Sequence, residues 1–373
     1  MNNNMISDRV ALAFGRRAIA TTLGAIWLLF ATPAWAAPWQ VVRGEVPAAV
    51  ANHSLQPLER LAPTNRLNLA IGLPGRNPEV LSLLLQQLYD PASTNFHQFL
   101  TTEQFTESFG PSEQDYQAVI AFANAHGLSV TATYPNRMIV DVSASVVEIE
   151  AALHVALRVY QHPTENRTFY APDVEPSLNL AVPILHISGL DNYALPRPRF
   201  KATPLAEGQT AAPQAGSGPS GTYMGNDFRA AYVPSSPLAG AGQTVGLLEF
   251  DGYNASDITY YETKAGLPSV TLSNILLNGV SGRPSGGGGE VEVSLDIEVA
   301  IAMAPGLSKV IVYEAANWHD MLNRMASDNL AKQLSCSWYI PPGRARRRRR
   351  PDFSADGSPG PGLLQRVGRR RCL

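Results

Sequence analysis

Apolar positions in the first half of the chain recur with the periods of strands and helices in turn. Residues 66–73 alternate as in a half-buried strand, and residues 79–88 carry apolar side chains at helical spacing. Ser112 is placed to cap a second helix over 115–126, which Gly127 would end. The pattern then predicts two strands joined as a hairpin, a helix and a last strand, at 128–134, 138–142, 146–154 and 157–160. This order favours an α+β, ferredoxin-like sheet with helices on one side.

The second half has a different pattern, in which apolar strands alternate with helices. Strands are predicted at 243–250, 309–313 and 333–338, with helices at 257–265 and 320–326 and a further helix after the glycine run 286–289. Such alternation is typical of a parallel α/β sheet. Between the halves, residues 196–221 are rich in Pro, Gly, Ala and Ser, which predicts an exposed linker open to proteolysis. We therefore expect a domain at 40–195 and another at 222–342.

Glu292 and Asp296 are the candidate chemical residues of the second half. The apolar spacing of their segment predicts a buried helix face at Leu295, Val299, Ala302 and Met303, and Pro305-Gly306 ends the helix. Carboxylates four residues apart lie one above the other, so they repel, and burial would raise their pKa values. A pair of this kind favours sharing a proton and suits acid–base chemistry below neutral pH. The alternative is a solvated acidic face, which is how Glu290 and Glu298 are interpreted.

The N-terminus predicts an export signal over residues 1–36. Arg16 and Arg17 precede an apolar stretch at 26–30, and Ala34-Trp35-Ala36 has the small-residue spacing of a cleavage site. A membrane anchor is the alternative, but the apolar stretch is short for a span. The composition, 45% hydrophobic and 16% charged, is that of a globular protein, and the two cysteines support no disulfide framework.

The acidic segment resembles the catalytic helix of the sedolisin family of serine-carboxyl peptidases. The match rests on Glu292-x-x-Leu295-Asp296 followed by Ala304-Pro305-Gly306. The resemblance implies that Glu292 is the general base for a serine nucleophile and that Asp296 orients Glu292. Residues 246–249, 252–253 and 335–338 also resemble the first part of that family's catalytic domain. This implies a partial catalytic domain of subtilisin-like α/β fold at 222–342.

Residues 40–195 resemble the activation domain of pro-kumamolisin. Blocks in the same order carry the match: Leu88-Tyr89-Asp90-Pro91, Phe96-His97-Gln98-Phe99-Leu100-Thr101, Gln104-Phe105, Phe109-Gly110-Pro111-Ser112 and Gly189-Leu190-Asp191-Asn192. The resemblance implies a propeptide that covers the cleft of the catalytic domain and helps it to fold. A substrate-binding accessory module is the alternative.

The family resemblance stops at Gly343, and residues 343–373 have a foreign composition. They hold ten arginines and two aspartates, which leaves 19 basic and 29 acidic residues in 1–342. An Arg-rich segment can bind nucleic acid or membranes. We favour a shifted reading frame, because codons compatible with the segment, read one base later, can spell an amphipathic string containing Ser-Gly-Asp. The expectation is a truncated or frameshifted chain with an aberrant tail.

The functional expectation is the precursor of a secreted, acid-active serine-carboxyl endopeptidase that acts on proteins or peptides. The family's Gly-Thr-Ser nucleophile block is missing from the printed residues, so 1–373 are expected to be inactive. No cofactor is expected in this chain, and the family's calcium site would lie later. The partners expected are peptide substrates and the chain's own propeptide domain, with no membrane after signal removal. Nucleic acid is not expected, because no aromatic residues interleave the arginines. The alternative function is a propeptide-like inhibitor or folding assistant of a related peptidase.

Overall fold

The computed structural model describes residues 39–199 and 216–341, so the predicted signal, most of the linker and the Arg-rich segment lie outside it. The elements of residues 39–199 are β1 (Gln40–Val41), α1 (Ala48–Ala51), β2 (Glu59–Arg60), β3 (Arg66–Gly72), α2 (Pro78–Gln87), α3 (Thr102–Phe109), α4 (Glu113–Ala125), β4 (Ser129–Thr133), β5 (Ile139–Ser145), α5 (Val146–Leu153), β6 (Leu157–Gln161), β7 (Thr168–Pro172), β8 (Ser177–Leu178), β9 (His186–Ser188) and β10 (Arg197–Pro198). The helices and strands predicted for this half are confirmed, with ends that differ by one to three residues.

An antiparallel four-stranded sheet in the order β4-β5-β3-β9 organises this half. Its core packs helices α4 and α5 against β3 and β5. Val119 and Ile149 are fully buried there, together with Val140 and Val142 of β5. Ser112 caps α4 as predicted, accepting a hydrogen bond from the N–H of Asp115 at 3.0 Å. A single apolar core therefore lies beneath this sheet.

One strand was placed in the wrong sheet by the sequence pattern. The last predicted strand, β6, pairs with β2 and β7 in a separate three-stranded sheet, and β9 takes the edge position beside β3. The reason is local, since β6 and β7 are antiparallel neighbours joined by a short turn, with Leu157 opposite Pro172 and Gln161 opposite Thr168. A strand with such a near neighbour satisfies its backbone without joining the main sheet.

The elements of residues 216–341 are a 3-10 turn (Pro219–Gly221), α6 (Asn226–Tyr232), β11 (Thr244–Glu249), α7 (Ala255–Ala265), β12 (Leu272–Leu276), α8 (Glu290–Met303), β13 (Lys309–Glu314), α9 (Trp318–Asp328), β14 (Gln333–Ser335) and β15 (Trp338–Tyr339). Strands β12-β13-β11-β14 form one sheet, and every neighbouring pair in it is parallel. The predicted parallel α/β arrangement is confirmed. Strand β12 was not predicted, because it is an edge strand in which Ser273 and Asn274 interrupt the apolar run.

Helices cover both faces of the parallel sheet. Val310 and Val312 of β13 face the core under α8, whereas Ile311 and Tyr313 face the core under α9. Burial on both faces explains the continuous apolar run of β13. The sheet is thereby fixed between α8 and α9.

The buried face of α8 differs in part from the predicted one, since Ala302 is fully buried as expected but Val299 and Met303 are only half-buried. Val293, Ile297 and Ile301 are fully buried against the sheet, but Leu295 is 41% exposed. The residues that pack on the sheet are spaced four apart and begin at Val293, one residue after Glu292. Glu292 therefore lies at the margin of the apolar face and is itself buried.

The two halves meet through polar contacts. Asn136 Nδ2 donates to Asn323 Oδ1 at 2.7 Å, and Asn68 Nδ2 donates to the carbonyl oxygen of Asn278 at 3.0 Å. Strand β10 pairs antiparallel with β15. Within 39–199 and 216–341, no helix has the length and apolar character needed to cross a membrane.

Candidate active site

Helix α8 begins at a glycine-rich loop that is anchored from the sheet. Asp251, two residues after β11, accepts hydrogen bonds from the backbone N–H and the hydroxyl of Ser285, each at 2.7 Å. A Cβ atom at Gly289 would lie 2.6 Å from Asp251 Oδ2, so only glycine allows this close approach. The start of α8 is therefore held against the end of β11, and its acidic residues project from a fixed point.

Glu292 and Asp296 follow in the first two turns of α8. Glu292 is 3% exposed, and Asp296 is half-buried. The hydroxyl of Ser337 donates to Asp296 Oδ1 at 2.8 Å. Because this bond stabilises the ionised form, it opposes the effect of burial, which raises the pKa of Asp296 above its ordinary value.

Glu249 is a further acidic residue of the site, and sequence reasoning did not select it. It ends β11, is fully buried, and accepts a hydrogen bond from the indole N–H of Trp338 to Oε2 at 2.6 Å. Glu249 is also hydrogen-bonded to Asp296. Among the described residues, Glu249 Oε1 and Asp296 Oδ2 receive no other donor. A proton held between the two carboxyl groups would satisfy an oxygen of each.

Of the two carboxyl groups, Glu249 has the surroundings that more strongly favour the protonated form. Burial, and then the negative charge of Asp296, raises the pKa of Glu249 well above its ordinary value. Glu249 thus donates to Asp296, which stays the more acidic partner. The result is a buried carboxylic acid behind an ionised carboxylate, an arrangement suited to moving a proton in mildly acidic solution.

The topology of the sheet explains why these residues meet. Strands β11 and β14 are parallel neighbours, with Leu247 opposite Ser335, so the residues that follow each strand emerge at the same edge. Glu249 ends β11 there, and Ser337 and Trp338 follow β14. Ligands of open α/β sheets bind at this carboxyl edge.

Glu292 and Asp296 are one helical turn apart on α8, as expected, but Asp296 is hydrogen-bonded to Glu249 of β11. A signal for Glu249 was present in the sequence, since an acidic residue ends the otherwise apolar strand β11. The interpretation of Glu298 as a surface charge was wrong. Burial, and then the charge of Asp257, raises the pKa of Glu298 to about 7. Glu290 is half-buried and accepts from the N–H of Gly288 at 3.0 Å.

No group of three or more His, Cys, Asp or Glu side chains in the part of the chain that the structure describes could hold a metal ion.

The amino-acid sequence is similar to one family model and to several known proteins. Residues 54–193 match the family model described as the pro-kumamolisin activation domain. Kumamolisin of Bacillus sp. is 32% identical over 221 residues, which cover 58% of this chain and 40% of that protein. Sedolisin of Pseudomonas sp. is 26% identical over 304 residues, covering 78% and 51%. Xanthomonalisin of Xanthomonas sp. is 25% identical over 293 residues, covering 73% and 35%.

A solved structure described as Pseudomonas sedolisin, a serine-carboxyl proteinase complexed with pseudo-iodotyrostatin, also matches, with 26% identity over 29% of this chain and 32% of that one and a TM-score of 0.26. Together the sequence matches place a region similar to the pro-kumamolisin activation domain at residues 54–193. The chain is similar to proteins of the sedolisin family. It spans between about a third and about half of the length of the three curated relatives.

Proposed function

We propose that the protein is the precursor of a secreted, acid-active serine-carboxyl endopeptidase. The observation that carries the proposal is the hydrogen-bonded series Trp338–Glu249–Asp296, which ends on the helix of Glu292 at the carboxyl edge of the sheet. Glu292 would take the proton of a serine nucleophile as that serine attacks the peptide carbonyl. Asp296 would orient Glu292. Substrates would be proteins or peptides.

The proton shared by Glu249 and Asp296 supports the acid range of the proposed activity. A carboxylate base has an ordinary pKa of about 4, whereas histidine has one of about 6.5, so a carboxylate base works in solutions where histidine is already protonated. Burial of Glu249, which raises its pKa, is expected to move the working range of the proposed site upward from that of a free carboxylate.

The activation domain would act as the propeptide. The strand order β4-β5-β3-β9 supports the ferredoxin-like interpretation of this domain, and the parallel sheet between α8 and α9 supports a subtilisin-like catalytic domain. Export through the predicted signal at 1–36 belongs to this proposal. So does a calcium site outside the described residues.

The printed residues contain no Gly-Thr-Ser block, so hydrolysis is proposed for a protein that carries it. The test begins with the nucleotide sequence through the codons of residues 343–373. If a shift of one base opens a frame encoding Gly-Thr-Ser, the restored precursor should process itself in acid and hydrolyse a denatured protein. Glu292→Gln and Asp296→Asn should each abolish this activity.

Glu298→Gln is the matched control, because it makes the same change on the same helix away from the site, and it should retain activity. The printed chain should hydrolyse nothing at acid or neutral pH. Full activity of the restored protein with Glu292→Gln would refute the assigned base. If the chain instead inhibited a related peptidase when added in trans, the propeptide-like alternative would be favoured.

A further inference from the structure

A second pair of buried carboxyl groups lies at the boundary between the activation domain and the α/β part, away from the candidate active site. Asp141 is on β5 of the activation domain, and Asp320 is in the first turn of α9. Their exposed fractions are 2% and 1%. Their carboxyl groups are hydrogen-bonded to each other. Two buried carboxylates in this position would repel strongly if both were ionised.

The neighbours of the pair use only one oxygen of each carboxyl group. The hydroxyl of Tyr134 donates to Asp141 Oδ2 at 2.7 Å, and the side-chain amide of Asn278 donates to Asp320 Oδ2. Among the described residues, Asp141 Oδ1 and Asp320 Oδ1 accept from no donor. A buried acceptor without a donor is costly, and one proton placed between these oxygens would satisfy both.

We infer that Asp141 and Asp320 share a proton across the boundary, so that docking of the activation domain on α9 is coupled to the binding of that proton. The inference concerns the assembly of the two parts and does not depend on peptidase activity.

The titratable groups on the elements packed around the pair have contacts of their own. Arg324, one turn further along α9, is ion-paired with Asp328 at 2.8 Å. The hydroxyl of Tyr116 donates to the carbonyl oxygen of Ile139 at 2.7 Å. His319 stacks on His186, with ring centroids 4.2 Å apart, and its Nδ1 lies 2.9 Å from Ser188 Oγ.

The sign of the expected pH dependence follows from the pair. Burial raises the pKa of Asp141 to about 6 and, with the charge of Asp141, raises the pKa of Asp320 well above its ordinary value. The docked state therefore binds more protons than the separated state, so docking is favoured in acid and weakens as pH rises above about 4, the ordinary pKa of aspartate. Each bound proton lost changes the docking equilibrium by about tenfold per pH unit.

Hydrogen exchange of the full chain, measured by mass spectrometry between pH 5 and pH 8 and corrected for the intrinsic exchange rate, tests this. Protection of peptides from α9 and β5 should fall by up to about tenfold per pH unit as pH rises. In Asp320→Asn the amide would donate permanently to Asp141, so protection should become independent of pH. Asp141→Asn should behave in the same way. Asp328→Asn, on the same helix but outside the pair, should keep the wild-type slope.

Infrared spectroscopy gives a direct second readout that does not require the docking equilibrium. At pH 7 the wild-type chain should show carbonyl-stretch intensity from a protonated carboxyl group that Asp141→Asn and Asp320→Asn both lose and Asp328→Asn retains. Unchanged intensity in both pair variants would overturn the inference. So would a wild-type protection that rises with pH, because the docked state would then bind fewer protons than the separated state.

Discussion

Trp338 donates its indole N–H to Glu249 Oε2 at 2.6 Å, which joins the segment after β14 to the last residue of β11. This bond satisfies one oxygen of a fully buried carboxyl group, and the shared proton satisfies the other. The two strand ends are thereby held together beneath the helix that carries Glu292 and Asp296.

Removing this donor should destabilise the α/β part. Trp338→Phe keeps the ring bulk but leaves Glu249 Oε2 buried without its partner, so the free energy of unfolding should fall by about 1–3 kcal/mol. Urea unfolding of the full chain measures the change. Trp39→Phe is the control, because Trp39 is 57% exposed and should have a smaller effect. Equal losses in the two variants would show that the bond to Glu249 contributes little.

The proton on Glu249 should make stability depend on pH. Because its pKa is raised in the folded state, the folded protein holds a proton that the unfolded chain loses above about pH 4, so the free energy of unfolding falls as pH rises, by up to about 1.4 kcal/mol per pH unit. Glu249→Gln should remove the contribution of one proton to this slope, because the amide can donate to Asp296 at every pH. Urea unfolding at several pH values tests it. Glu290→Gln should keep the slope, and a Glu249→Gln slope equal to wild type would contradict the shared proton.

The packing of α8 should distinguish two apolar positions that lie two residues apart. Ile297 is fully buried against the sheet, so Ile297→Ala should lower the free energy of unfolding by about 2–5 kcal/mol. Leu295 is 41% exposed, and Leu295→Ala should cost less than about 1 kcal/mol. Urea denaturation of both variants makes the comparison. A larger loss from Leu295→Ala would favour the face predicted from the sequence.

Residues 40–195 should fold alone. Their main core, which runs from Val42 to Leu190, draws every member from this segment. Expressed separately, the segment should show a cooperative thermal transition by circular dichroism. Ile149→Ala, in the centre of that core, should lower the midpoint, whereas Val147→Ala, at a position 54% exposed, should leave it nearly unchanged. A segment without a transition would mean that it needs the α/β part to fold.

The spacing of apolar residues predicted much of the fold, because a long helix or strand buries one face and its apolar residues therefore recur at a regular interval. The strand predicted at 66–73 is β3, and the capped helix after Ser112 is α4. Strand β9 escaped prediction because it has three residues and pairs with β3, more than a hundred residues earlier in the chain. The one-turn spacing of Glu292 and Asp296 depends only on the helix that carries both residues, so the sequence predicted it.

The hydrogen-bond partners of the acidic residues could not be predicted from the sequence, because they lie on other helices and strands. Glu249 reaches Asp296 only when β11 and α8 pack together, and Asp141 reaches Asp320 only when the two halves meet. No spacing along the chain encodes either pairing. The difference between the predicted and observed face of α8 has the same origin, since the sheet decides which side of a largely apolar helix is covered.

The pairing of β10 with β15 has a consequence for any peptide that approaches the carboxyl edge of the sheet. Arg197 lies opposite Tyr339, the N–H of Arg199 donates to the carbonyl oxygen of Ser337 at 3.1 Å, and the Arg199 guanidinium lies 5.6 Å from the centroid of the Tyr339 ring. A separate strand that pairs with β15 must displace this tethered segment. A competitor in the same chain acts at an effective concentration on the order of millimolar. A free peptide at micromolar concentration would therefore pair with β15 only after the chain is cut between β10 and β15 or after the domain that carries β10 dissociates.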